Sequence, residues 1–117
     1  MIISSNPANE QVLGTYELHT RENVEMFLRK AVLAQQHWAL QPLETRCELI
    51  SRVAAVLRQN KAEYARTIAL EMGKPITEAE AEIEKCAWTC DFYAQMAPEF
   101  LADRIVASTA SESRVVF

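Results

Sequence analysis

Glycine is nearly missing from this chain of 117 residues, which has only Gly14 and Gly73. That scarcity excludes the glycine-rich loops whose backbone amides cradle phosphates, and no G-x-G-x-x-G run is present. No H-E-x-x-H pair and no G-x-S-x-G elbow occurs either, which removes the common signatures of zinc hydrolases and serine hydrolases. No window approaches the ~20 consecutive apolar residues of a membrane span. Met1-Ile2-Ile3-Ser4-Ser5-Asn6-Pro7 lacks the basic start and long apolar run of a signal peptide, so a cytoplasmic location without a membrane partner is expected. Positive charge is also in deficit. Twelve Lys and Arg stand against sixteen Asp and Glu, giving a net charge of -4, which argues against a nucleic-acid partner. Cysteine is limited to Cys47, Cys86 and Cys90, an odd count that reads as reduced thiols. Cys86 and Cys90 lie four apart and share a helix face. They read either as a metal pair or as two small hydrophobes on a buried stripe, and without a further Cys or His at zinc-site spacing the second reading is preferred.

What is present is helix-forming sequence. Half of the residues are hydrophobic and 24% are charged, a globular balance sufficient for one domain with a modest core. The fold class expected is mainly α, about four helices, with a β-hairpin at the N-terminus and a strand at the C-terminus. The hairpin is placed at 2–18, because Ile2-Ile3 and Val12-Leu13 flank a polar, proline-containing turn. The helical part is placed at 20–101. Thr20 is a suitable cap for the first helix, with Glu22 in its first turn and Val24, Phe27, Leu28, Ala31, Ala34 and Trp38 at helical spacing up to Pro42. Cys47, Leu49, Ile50, Val53, Ala54 and Leu57 form the stripe of a second helix beginning near Leu43. Asn60 with Glu63 suggests a capping box for a third helix over 61–72, with Tyr64, Ala65, Ile68 and Met72 along one side. Gly73 then Pro75 is a helix stop followed by a helix start. Ile76, Ala79, Ile83, Cys86, Ala87, Cys90, Tyr93, Ala94 and Ala97 make the inner face of the fourth helix, which Pro98 bends or stops. Arg114-Val115-Val116-Phe117 reads as a strand cut off in progress, over 113–117.

Each chemically suggestive residue has a plainer reading beside it. Gly73-Lys74 is not a phosphate loop, because one glycine precedes the lysine and Pro75 has no amide hydrogen. The alternation of Glu78, Glu80, Glu82 and Glu84 spreads carboxylates around two turns, as on a solvated face, rather than pairing them. Glu71 stands at a helix end where the dipole disfavours an anion, so a cation partner such as Lys74 is expected. His19 and His37 have no visible partner in sequence, and Cys47 falls on an apolar stripe where a thiol tends to be inert.

The order of the pieces then becomes informative. Asn6-Pro7 followed by Val12-Leu13-Gly14 resembles the "NPATGEVIG"-type hairpin that opens the NAD(P)-dependent aldehyde dehydrogenase superfamily. The helix ending in Trp38, then Leu43-Glu44-Thr45-Arg46, is similar to that family's "W…R…L" region. Leu70-Glu71-Met72-Gly73-Lys74-Pro75 resembles its "LE-[TM]-GKP" signature, followed by a glutamate-rich helix ending in Phe92-Tyr93-Ala94. Ser111 to Phe117 resembles the strand just before the family's "PLGVV…PWNFP" segment. Glu71-Met72-Gly73-Lys74-Pro75 and Cys86-Ala87-Trp88 look most like the succinate-semialdehyde dehydrogenase type.

The resemblance implies a partial piece of the α/β aldehyde dehydrogenase fold, with 113–117 beginning an oligomerisation strand and the catalytic domain absent. The family's reaction takes an aldehyde to a carboxylic acid through a cysteine thiolate, hydride transfer to NAD or NADP, and a glutamate-activated water. Its catalytic cysteine, its glutamate and its nucleotide-contacting lysine all lie beyond residue 117. No catalytic, cofactor-binding or metal residue is therefore assigned to this chain, no cofactor is expected in it, and none of Cys47, Cys86 or Cys90 aligns with the nucleophile. Three readings remain. The chain is the N-terminal part of such a dehydrogenase and inert alone, or a stand-alone helical module that associates with itself or with a full-length homologue, or an independent enzyme using Cys47 or the Cys86/Cys90 pair.

Overall fold

The architecture described here is that of a computed structural model covering residues 1–116. The order is β1 (Ile2–Ser5), β2 (Val12–Tyr16), α1 (Arg21–Ala39), α2 (Leu43–Gln59), α3 (Lys61–Met72), α4 (Ile76–Phe100), β3 (Arg104–Ile105) and β4 (Arg114–Val115). The expected class is what forms: four helices with a hairpin ahead of them and short strands after.

β1 and β2 pair antiparallel, Ile2 opposite Tyr16 and Ser4 opposite Gly14, with the register shifting between Ser4 and Ser5. Side chains of the turn supply its fastening. Asn6 Oδ1 accepts from the Ala8 amide at 2.9 Å and Asn9 Oδ1 from the Gln11 amide at 3.1 Å. These local bonds let Glu10 take the left-handed conformation, φ 60°. β2 stops at Tyr16, two residues short of the expected end.

α1 starts as its sequence suggests. Thr20 Oγ1 accepts from the Asn23 amide at 3.2 Å, and Asn23 Oδ1 returns to the Thr20 amide, which closes a capping box. The Glu22 carboxyl is held below its ordinary range, first by its own backbone amide and then by the Thr20 hydroxyl. A lowered folded-state value means that this support is present above the unfolded pKa and is lost as pH falls through the folded one. Because α1 buries no residue, little else holds its first turn. Thr20→Ala is expected to cost about 1 kcal/mol of local helix stability. Amide exchange in the first turn of α1, followed from neutral to acidic pH, checks both statements: wild type should loosen on acidification, and the variant should already be loose at neutral pH.

The core is a seam along α4. α2 and α3 both lie against it, and β1 touches α3. Ala54 of α2, Ala65 of α3 and Ala79 and Ala87 of α4 are fully buried, joined by Ile83 and Ala94. Alanine lets helices approach closely, so this seam is tight but small. Three members of the expected α4 face are outside it: Ile76, Cys86 and Tyr93 are exposed. The apolar run of α4 is wider than the arc that α2 and α3 cover.

Polar contacts lock the seam from its edge. Arg58 of α2 reaches Glu84 at 2.8 Å and Asp91 at 2.7 Å, both on α4, and Lys61 stands 3.9 Å from Glu84. The two carboxylates raise the Arg58 pKa, Glu84 contributing most.

Four local expectations are corrected. Asn60 does not cap α3, because its side-chain amide donates back to the Val56 carbonyl at 2.9 Å and so finishes α2 instead. Pro75 is the residue before α4 rather than its first member, although its carbonyl accepts the amides of Glu78 and Ala79. Pro98 neither stops α4 nor marks its end, since the helix continues to Phe100. The terminal strand is shorter than the expected 113–117: β4 is only Arg114–Val115, and it pairs with β3 (Arg104 with Val115, Ile105 with Arg114). Phe117 lies outside the described residues.

The body is long. It measures 68 × 40 × 24 Å with a radius of gyration of 20.7 Å, whereas a compact chain of this length has about 13 Å. Among the described residues no helix is long and apolar enough to cross a membrane.

Candidate functional site

The Glu71–Pro75 stretch draws three elements together. Gly73 ends α3 with φ 70°, its amide donating to the Ala69 carbonyl at 3.0 Å. That left-handed geometry is the one glycine adopts freely. Glu71 does not pair with Lys74 as expected. Its Oε1 accepts from Ser4 Oγ of β1 at 2.7 Å, which fastens the hairpin to the end of α3. Lys74 turns the other way and donates to Glu82 of α4. That bond, ahead of the charge attraction, raises the Lys74 pKa.

An open groove of about 730 Å³ runs beside this joint, lined by Lys74, Glu78, Ala81, Glu82, Lys85, Cys86 and Thr89. Its size suits a ligand, but its chemistry does not suit a dinucleotide. Two carboxylates face the two ammonium groups, and Lys74 is already engaged by Glu82. A pyrophosphate needs several converging donors, and with Lys74 held by Glu82 and Glu78 and Glu82 lining the same groove, Lys85 is left as a single cation among carboxylates. The acidic alternation is thus partly a solvated face and partly a set of helix ties: Glu82 serves Lys74, and Glu84 serves Arg58.

The residues weighed for catalysis stay apart. His19 packs its ring edge-on against Phe27, centroids 5.2 Å apart. The His37 Nδ1 lies 2.9 Å from the Leu33 carbonyl and donates to it, so that nitrogen is spent within its own helix. Cys47 is half-buried in a shallow cleft with Trp38, Arg46, Ile50 and Tyr93. Cys86 is exposed beside Lys85, which corrects its expected place on a buried stripe, and Cys90 is half-buried. Among the described residues no hydrogen bond joins a cysteine to a histidine or a carboxylate, and no group of three His, Cys, Asp or Glu is placed to hold a metal ion. Lys85 lines the groove with Cys86 and Arg46 the cleft with Cys47, but a nucleophilic thiol also needs a base in hydrogen-bond reach, and among the described residues none is bonded to these three. Arg46 is the functional-looking residue that sequence patterning passed over, since its Nε is buried in the Trp38 cleft without a partner.

Apolar exposure is the largest remaining feature. Val24, Phe27, Leu28, Val32 and Leu33 lie open along α1, and Leu49, Val53 and Val56 along α2. On α4, Trp88 stacks on Phe92 at 5.7 Å, and Tyr93 and Phe100 extend the aromatic patch. Faces this wide are the mark of surfaces that something else covers.

Comparison with known proteins gives these faces a context. Residues 1–117 match the model of the aldehyde dehydrogenase family. A probable NADP(+)-dependent succinate-semialdehyde dehydrogenase of Synechocystis sp. is 37% identical over 116 residues, covering 99% of this chain and 26% of that protein. The succinate semialdehyde dehydrogenase Sad of Escherichia coli is 34% identical over 85% of this chain and 21% of its own length. Among solved structures, succinic semialdehyde dehydrogenase from Streptococcus pyogenes, in complex with NADP+, superposes with a TM-score of 0.90 at 29% identity, over 97% of this chain and 25% of that one. The chain thus spans about a quarter of the length of the relatives it matches.

Proposed function

Since this chain belongs to the aldehyde dehydrogenase family, we propose that it forms the N-terminal, non-catalytic part of an NAD- or NADP-dependent enzyme oxidising an aldehyde, with succinate semialdehyde the favoured substrate class. The observation that carries the reading is continuity. The likeness runs over 85–99% of this chain while covering about a quarter of each relative, and the same chain leaves the apolar faces of α1 and α2 uncovered. A segment of a larger fold has that signature: complete helices whose outer faces still require a neighbour. The role of this part is to present those faces, with no catalytic, cofactor-binding or metal residue of its own. Its acidic charge and three free thiols suit a reducing cytoplasm.

The uncovered faces also favour a second reading, in which the chain is a stand-alone association module pairing with itself or with a homologous subunit. On either reading β4, with the residues around it, is proposed to contribute to an oligomer edge.

A chimera separates the two. This chain replaces the matching quarter of the Synechocystis relative, and succinate-semialdehyde oxidation is followed by nicotinamide absorbance. The expected result is an active chimera, an inactive relative when that quarter is deleted, and no turnover by this chain alone. An inactive chimera that still folds, together with self-association of the isolated chain in sedimentation equilibrium, would favour the module instead. Turnover by the isolated chain that disappears in Cys47→Ser or Cys86→Ser would overturn both.

A further inference from the structure

The first hairpin should not stay folded on its own. Two strands are marginal in water, and Ile2, Ile3, Val12 and Tyr16 are all more than half exposed. Its attachments to the helical body are specific and meet at one place. Ser4 Oγ donates to Glu71 Oε1, one residue before the end of α3. Pro7 in the hairpin turn sits over Gly73: a Cβ built on Gly73 would meet Pro7 Cγ at 3.0 Å and Pro7 Cβ at 3.9 Å. From these two contacts we propose that Glu71 and Gly73 form a two-point clasp that seats the hairpin on the α3–α4 joint, so that the hairpin docks and undocks as a unit and its docking stiffens the joint.

The clasp gives Gly73 a second duty. The left-handed turn requires a residue tolerant of positive φ, and Pro7, 3.0 Å from where a Cβ would stand, favours a residue without one. These duties separate experimentally. Asparagine tolerates the left-handed conformation better than other residues with a side chain, yet its Cβ would press on the Pro7 ring at 3.0 Å. Replacing Pro7 with alanine removes the Cγ at 3.0 Å and leaves the Cβ at an ordinary contact distance. A purely local role for Gly73 predicts no response to residue 7. Glu71 and Ser4 act through the hairpin and are positioning residues.

The test is amide hydrogen exchange on the full chain, read in the hairpin and in α3, with helical circular dichroism confirming that every variant folds. Ser4→Ala and Glu71→Ala should each speed exchange of the hairpin amides several-fold, and the double variant should add nothing to the single ones. Gly73→Asn should speed exchange in the hairpin and the last turn of α3 together, and Pro7→Ala in that background should restore part of the protection. The proposal is overturned if the wild-type hairpin exchanges at the rate of an unstructured peptide. It is equally overturned if Ser4→Ala and Glu71→Ala leave hairpin exchange unchanged, or if Pro7→Ala gives no rescue.

Discussion

Gly73→Val is expected to lower the stability of the fold by about 2 kcal/mol, because a β-branched residue is forced into the left-handed region. The backbone at Gly73 has φ 70°, and its amide closes the last turn of α3 on Ala69. The new side chain would also press on Pro7. Valine can escape only by abandoning the left-handed turn, and then α3 and α4 no longer meet at their present angle. For a domain of this size the loss corresponds to a fall in melting temperature of roughly 10 °C. Thermal denaturation followed at a helical wavelength measures it. A change under 0.5 kcal/mol, the range of about an ordinary surface substitution, would mean that the joint does not depend on that conformation.

The second large effect is expected in the seam. Ala87→Leu should destabilise by about 2–3 kcal/mol, since extra methylenes in a tightly packed contact force side chains or whole helices apart. Ala87 is fully buried on α4, as Ala54 is on α2, so a larger side chain there has to displace the atoms that cover it. The adjacent Cys86 is exposed, so Cys86→Leu places the same side chain without the crowding and should shift stability by no more than about 0.5 kcal/mol. Urea unfolding of the pair isolates packing from composition. Equal midpoints for the two variants would show that the alanine seam is loose.

Much of this fold was legible because its signals are local. Thr20, the helical spacing of the apolar residues and the Gly73-then-Pro75 stop are set by nearest neighbours, and α1, α2 and α3 begin and end close to where those signals put them. The misreadings arose where two local options had similar energies. Asn60 bonds backward to Val56 as readily as forward, and Pro98 sits close enough to the end of its helix to be tolerated. The partner of Glu71 was out of reach of any local argument, because Ser4 lies 67 residues away. Burial failed for a related reason. Periodicity marks which residues are apolar, and only a neighbour makes them buried. Tyr93 and the whole stripe of α1 satisfy the pattern and remain exposed. The absence of an assigned catalytic residue came from the resemblance to longer dehydrogenases, since composition and spacing alone left Cys47 and the Cys86/Cys90 pair open.

The elongated shape bears on how any assembly of this chain is to be weighed. A body 68 Å long and 24 Å thin meets more hydrodynamic drag than a sphere of its 13.3 kDa. On a gel-filtration column calibrated with globular standards, one copy would therefore emerge early, at the volume of a heavier protein. Elution position would report two copies where there is one, whereas scattered light, which depends on mass and not on outline, would count them correctly.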